Sequence, residues 1–205
     1  MTELPTYVPS MADAPPPAAY ELSGRFVRLR TMNPGDLDWL YRLSTDPDIA
    51  LTWRHRPGTL DPSQFNNELW RGVAAQLVAT SLVDDRRLGL LVCYRADLLN
   101  RHAYVGVLLD PLERAGGKAF ESVPLFIRYC FQSFGFRKLY AEVFDFGLDG
   151  YKSILGSRVQ IEGRLHAHWR SGSEFRDVFV LAMKEEDFHV PVDVIVRETV
   201  RQRNG

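Results

Sequence analysis

Lysine is scarce in this 205-residue sequence: Lys118, Lys138, Lys152 and Lys184 are its only lysines, and arginine supplies the rest of the basic residues. Lys+Arg of 25 against Asp+Glu of 26 gives a formal net charge of -1. The basic excess of a nucleic-acid-binding domain is therefore missing, and nucleic acid is excluded as a main partner. Cysteine is confined to Cys93 and Cys130, each inside an apolar stretch. Both are expected as core thiols, neither a disulfide pair nor metal ligands, and a reducing cytoplasm is the expected location. No stretch approaches the ~20 apolar residues of a membrane span, and no basic region followed by an apolar run opens the chain, so neither membrane insertion nor secretion is expected. The histidines lack ligand spacing, and no metal is expected. No internal repeat is present.

A hydrophobic content of 45% is enough for one sizeable core. Residues 1–20 carry Pro5, Pro9 and the run Pro15, Pro16, Pro17, a composition expected to give a flexible arm. Residues 21–188 are expected to form one folded domain, and 189–205 a tail, helical over Val192 to Arg203.

Within the domain, Arg25 to Arg30 alternates with the period of a half-buried strand. Asn33 followed by Pro34 predicts a helix start, with Leu37, Leu40, Tyr41 and Leu43 at helical spacing and an end near Asp46-Pro47. Asp61 and Pro62 predict a second helix with Phe65, Leu69 and Trp70 on one face. Strands are predicted at about 75 to 83, 88 to 96 and 102 to 109, followed by a long helix from Gly117 to about Phe134. Pro124 inside that helix implies a kink or a late start. A strand over 138 to 144, a short helix over 149 to 156, and a hairpin of 159 to 169 with 174 to 184 complete the chain. This order predicts an α/β domain on one mixed, mostly antiparallel central sheet flanked by helices.

The segment richest in chemistry runs from Tyr104 to Ala119, where a strand enters a glycine-containing turn that opens the long helix. A helix N-terminus behind glycine offers backbone N–H groups and a positive dipole end to a pyrophosphate, and Arg114 and Lys118 add charge. Alone, Gly116-Gly117 is equally a simple strand-to-helix joint. The stretch Arg114-Ala115-Gly116-Gly117-Lys118-Ala119 matches the signature Gln/Arg-x-x-Gly-x-Gly/Ala. Further on, Ile161 to Leu165 and Asp177 to Met183 look like a family's closing strands. On these segments the chain, over about residues 23 to 188, resembles the GNAT superfamily of acyl-CoA N-acyltransferases, particularly the branch of ribosomal-protein alanine acetyltransferases.

The resemblance implies acetyl-CoA or another acyl-CoA as co-substrate, bound by Leu108, Leu109, Arg114, Gly116, Gly117, Lys118 and Ala119. It implies that the strand ending at Leu108 and Leu109 diverges from the strand beginning at Lys138, with a backbone N–H near Leu109 placed to stabilise an oxyanion. It also implies a hydroxyl on the short helix that protonates the departing sulfur. Tyr151 and Ser153 are the candidates, Tyr151 preferred. Two departures stand out. Tyr104 occupies the place two before Gly106 where relatives often carry an acid, and Phe146-Gly147 replaces the usual asparagine.

Glu142 is a candidate to draw a proton through water, with pairing to an arginine as the favoured alternative. His55, His102, His166 and His168 are intrinsically suited to act as bases but read more simply as surface residues. Trp53, Arg54 and Arg56, in the loop between the first two helices, and Tyr104 are candidate acceptor-binding residues, suited to a carboxylate or a flat ring. The partners implied are an acyl-CoA and an amine acceptor, in a possible homodimer. Three functions remain open: acyl transfer to a primary amine of a small molecule or peptide, acetylation of a protein N-terminus, and a non-catalytic acyl-CoA-binding or interaction module.

Overall fold

The computed structural model describes residues 22–46, 49, 61–114, 118–151, 155–189, 191 and 195. Seven strands form one sheet: β1 (Val27–Thr31), β2 (Val73–Ser81), β3 (Arg87–Asp97), β4 (His102–Leu109), β5 (Lys138–Phe144), β6 (Val159–Ser171) and β7 (Glu174–Lys184). Their spatial order is β1-β2-β3-β4-β5-β7-β6, and every neighbouring pair is antiparallel except β4 with β5. The helices are α1 (Leu37–Thr45), α2 (Pro62–Leu69), a single turn α3 (Pro111–Arg114) and α4 (Ser122–Phe134). Among the described residues no helix is long and apolar enough to cross a membrane.

The predicted α/β architecture and element order are observed, with differences that have local causes. Pro124 falls in the first turn of α4, where its missing N–H has no intrahelical partner to lose. The helix consequently starts late, after a 3-10 turn over Lys118–Glu121. It ends at Gly135, whose φ of 62° supplies the left-handed cap, with its N–H donating to the Phe131 carbonyl. Asp61 caps α2 through the Gln64 N–H at 3.0 Å, and Phe65 and Leu69 are buried. Trp70 was expected on that same face. It lies instead in the turn after α2 and is 47% exposed. The short helix expected over 149 to 156 is a 3-10 segment that begins earlier, over Asp145–Tyr151. The tail helix expected over 192 to 203 and the arm at 1–20 fall outside the described residues.

Side-chain alternation divides the core between two faces. Leu91, Cys93, Val105, Leu109, Leu139, Val143 and Leu181 point to the face that carries α4, with Phe126, Ile127 and Cys130 packed on them. Leu90, Val92, Leu108 and Val78 point the other way, under Leu40 and Leu43 of α1 and Phe65 and Leu69 of α2. β3 is apolar on both faces because it is covered on both. The two thiols meet in the α4-side core, where burial and then the neighbouring Cys93 push the Cys130 thiol well up. Their wide separation in sequence conceals that contact, and both remain free.

Two buried carboxylates fasten helical segments to the sheet. Glu121, at the end of the 3-10 turn, accepts from the backbone N–H groups of Arg25, Phe26 and Val27 at 2.8, 2.7 and 3.1 Å. A Cβ at Gly24 would lie 2.5 Å from the Glu121 carboxyl carbon, so any side chain there must displace the carboxylate from its three bonds. Asp36 accepts from Arg30 at 2.7 and 2.9 Å, from Arg87 at 2.8 Å and from the Asn33 N–H at 2.9 Å. These bonds join the start of α1 to β1 and β3.

Burial alone would raise the Asp36 pKa. The bonds from Arg30, the Asn33 backbone and Arg87 outweigh it and lower the pKa from 3.8 to about 2. A depressed folded-state pKa gives stability that is full above the unfolded value and is lost as pH falls through the folded one. Asp36 is thus expected to contribute roughly 2 kcal/mol near neutrality, lost between about pH 4 and pH 2. Chemical denaturation of the wild type and Asp36→Asn across that range checks it, the stability difference shrinking as the pH drops. Gly89 sets a second expectation, because a Cβ there would lie 2.5 Å from the Leu108 carbonyl oxygen and 3.1 Å from the Leu109 Cα. Gly89→Ala must push β4 away from β3 and is expected to cost about 1–3 kcal/mol in urea unfolding.

Candidate functional site

β4 and β5 run side by side for three residue pairs, His102 with Lys138, Ala103 with Leu139 and Tyr104 with Tyr140, and no further. Beyond Tyr104, β4 stays in register with β3 as far as the Leu109–Gly89 pair. Beyond Tyr140, β5 stays in register with β7 as far as the Phe144–Val178 pair. Each strand keeps its outer neighbour and loses its inner one, so a wedge opens in the middle of the sheet with its apex at Tyr104 and Tyr140. Among the described residues, no strand pairs with Val105 to Leu108 on the β5 side. The expected divergence is therefore present.

Leu108 and Leu109 are both buried, on opposite faces, Leu108 beneath α1 and α2 and Leu109 beneath α4. Anchored on both sides, this part of β4 turns neither of these two side chains to the wedge. Asp110 then turns the chain, its side chain accepting from the Leu112 N–H at 3.0 Å and from the Trp39 indole at 3.4 Å. The single turn α3 follows, a detail that strand and helix periodicity did not reveal.

Of the expected phosphate-turn residues, Gly116 and Gly117 lie outside the described residues, and Arg114 is described only as the last residue of α3. Ala119 is buried in the α4-side core. Lys118 is exposed, with its Nζ 5.4 Å from the centroid of the Phe26 ring. Arg25 approaches the same ring to 5.0 Å, so two cations gather at Phe26 where α4 begins. Sequence reasoning missed Arg25, because its place beside Lys118 follows from the Glu121 clamp on β1 and not from any motif.

Tyr151 closes the 3-10 segment that rests on β5 and β7, and it packs half-buried against the α4-side core. Burial raises its pKa above 10, which keeps the phenol protonated. Ser153, the other expected hydroxyl, lies outside the described residues. So do Trp53, Arg54, His55 and Arg56.

Tyr104 stands on the opposite face, in a row of rings with Tyr94 at 6.0 Å and Tyr140 at 5.3 Å. Burial, then the nearby Glu142, raises the Tyr104 pKa. Glu142 lies on the same face and pairs with Arg95 at 3.3 Å, in keeping with its expected arginine partner. The Arg95 guanidinium sits 5.7 Å from the Tyr94 centroid and 5.5 Å from that of Tyr104. Neither Arg95 nor Tyr140 was singled out from sequence. Tyr140 was legible, since Lys138, Tyr140 and Glu142 alternate onto one face. Arg95 was not, because alternation places it on the other face. His102 packs edge-on to Tyr140 at 5.6 Å, while His166 and His168 are exposed on β6.

The described residues contain no group of three or more His, Cys, Asp or Glu placed to hold a metal ion. The shallow depressions lined by Arg128, Phe131 and Phe188, and by Lys138, Lys184 and Glu186, lie at or beyond the end of β5 that is closed against β4. Among the described residues, the wedge is an opening in the interior of the sheet with polar side chains on both faces.

No protein-family model matches the sequence, and no curated protein matches it. Solved structures do. The chain is similar to a spermidine N-acetyltransferase from Vibrio cholerae in complex with CoA and spermine, with a TM-score of 0.69 and 18% identity, covering 79% of this chain and 97% of that one. It is also similar to a spermidine/spermine N-acetyltransferase from Vibrio cholerae in complex with manganese ions, with a TM-score of 0.65 and 16% identity, over 80% and 95% of the two chains. At these identities the likeness concerns architecture, and the architecture is the GNAT fold.

Proposed function

We propose that this protein is an acyl-CoA-dependent N-acyltransferase, with acetyl-CoA as the expected co-substrate and a primary amine of a small molecule or peptide as acceptor. The parting of β4 and β5 after Tyr104 and Tyr140 carries the reading. An interior strand edge without a partner leaves backbone donors and acceptors in want of hydrogen bonds. An amide-bearing chain laid along Val105 to Leu108 would satisfy them, as a pantetheine arm does. The cations Lys118 and Arg25, with Arg114 and the glycines of the turn, would hold the phosphates at the wide end of the wedge. The similar Vibrio cholerae enzyme binds CoA and spermine, which supports a co-substrate and an amine acceptor of this kind.

The thioester would supply the acyl group. Backbone N–H groups of β4 along the wedge would stabilise charge that develops on the acyl oxygen. Tyr151, kept protonated by burial, would donate its proton to the departing sulfur from the α4 face. The tyrosines and Glu142 would receive the amine from the other face, where Glu142, through water, would take the proton that the ammonium must lose before its nitrogen attacks the acyl carbon. The C–N bond forms as the C–S bond breaks, and the second proton lost by nitrogen replaces the one Tyr151 gives to sulfur. The similarity to a spermidine N-acetyltransferase supports a small-molecule amine as acceptor more than a protein terminus.

Calorimetric titration with CoA and acetyl-CoA tests the reading. The wild type is expected to bind, and a variant combining Arg114→Ala with Gly117→Asp is expected to bind about 10- to 100-fold more weakly, as for the loss of charge-assisted contacts. If the wild type binds neither compound nor any longer acyl-CoA, the proposal fails. Tyr151→Phe is expected to lower kcat on the order of 100-fold with CoA affinity unchanged. Because the phenol pKa is raised, loss of activity from its ionisation should appear only above pH 10, in a pH profile of kcat that Tyr151→Phe lacks.

A further inference from the structure

Arg95 occupies a position that regular strand geometry would deny it. Cys93, two residues earlier, faces the α4 core, so strict alternation would send Arg95 to that side. The register between β3 and β4 shifts between Tyr94 and Asp97, and Arg95 adopts φ = 49° in this bulge. Its N–H is held by the Gly72 carbonyl at 3.1 Å. The bulge turns the side chain onto the Tyr94–Tyr104 face, where it reaches over β4 to Glu142 of β5. A non-glycine residue at positive φ costs backbone energy, a cost that Arg95 shares with Asp85, Arg101 and Ala167.

A second cation-on-tyrosine arrangement lies beside it. Lys138 sits 5.5 Å from the Tyr140 centroid and pairs with Glu162 at 2.6 Å, with its side chain only 16% exposed. The Arg95–Glu142 contact is longer, at 3.3 Å, and the Arg95 side chain is 65% exposed. Lys138 is locked into the sheet. Arg95 is a loosely held cation on a cation-binding surface.

We propose that Arg95 is a built-in stand-in for a cationic acceptor: the ammonium group of the acceptor displaces the guanidinium from the Tyr94–Tyr104 rings and takes Glu142 as its partner. This deepens the amine-acceptor reading above and rests on it. It names the acceptor class as an ammonium compound, aliphatic or aryl-alkyl, with no carboxylate beside the amine. Tyrosine faces attract cations, and a carboxylate at the rim repels an anionic acceptor. A site occupied by its own side chain binds with an affinity reduced by the fraction of time it is open.

The test uses the full-length protein without CoA and two probes of one skeleton, phenethylammonium and 3-phenylpropionate, followed by NMR shifts of the tyrosine rings. Phenethylammonium is expected to bind Arg95→Gln up to about tenfold more tightly than the wild type. Arg95→Gly, which suits the positive φ and keeps the bulge, is expected to show the same gain, while Glu142→Gln weakens binding. An affinity unchanged or weakened in both Arg95 variants overturns the proposal, as does the absence of ammonium binding to any of them. Binding of 3-phenylpropionate to the wild type and its loss in Arg95→Gln also overturns it, making Arg95 a carboxylate anchor. CoA titrations of the same samples test the acyl-CoA reading separately, since Arg95 lies on the face away from α4.

Discussion

The parting of two parallel strands in the middle of the sheet is the constraint on which the rest depends. A strand has two hydrogen-bonding edges, and in a closed sheet interior strands use both. Here β4 commits one edge to β3 along its length, and β5 commits one to β7 along its length, but they share only three residue pairs. Such an opening survives because neither strand depends on the other for its place. Leu108 and Leu109 fix β4 from opposite faces, and Leu139, Val143 and Leu181 fix β5 and β7 under α4. The wedge is held by packing on both layers, so its polar edge can serve a ligand without loss of the core.

The wedge also separates the chemistry by face. On the α4 side lie Tyr151, the cations around Phe26 and the turn that leads into α4. On the α1 and α2 side lie Tyr94, Tyr104, Tyr140, Arg95 and Glu142. A co-substrate laid along β4 would meet a proton donor from one side and an acceptor from the other. Glu121 is the residue that would spoil the arrangement, since an acid near the start of α4 opposes a phosphate. Its carboxylate is drawn to β1 by three backbone N–H groups, which fix the charge there and also bring Arg25 next to Lys118.

The fold was largely legible because its signals are local. Alternation marked β1, apolar stretches between turn-rich pieces marked β2 to β4, Asn33-Pro34 and Asp61-Pro62 marked the first helices, and Pro124 signalled a kink or a late start of α4, of which the late start is observed. The divergence of β4 from β5 was reached through family resemblance and not through any pattern in the residues. Trp70 failed as a helix-face residue because it falls one position beyond the last turn of α2. The helix expected at 149 to 156 failed because the turn at Asp145 begins the 3-10 segment as soon as β5 ends, with the Asp145 side chain accepting from the Phe146 N–H at 2.7 Å. Arg95 was illegible for a stricter reason: a bulge reverses the face that alternation assigns, and no residue type at 94 to 97 announces one. The Cys93–Cys130 contact was equally hidden, since it depends on where α4 crosses the sheet.

Partner geometry separates Glu142 from four carboxylates that serve the fold. Asp36 has four donors and is fully buried, and Glu121 has three backbone donors and lies in the core. Glu162 holds Lys138 at 2.6 Å, which lowers its pKa, and Asp177 is held by the Ala167 N–H and then by Arg164, with the same effect. Each of these would lose several charge-assisted bonds, or one short one, before it could bind anything else. Glu142 has a single exposed arginine at 3.3 Å and stands two residues past the apex of the wedge. Exchanging that arginine for another cation leaves the count of ion pairs unchanged and buries no unpaired charge. Of these five carboxylates Glu142 is the one whose partner is most easily replaced, and it stands beside the open edge on a surface of tyrosines already suited to a cation.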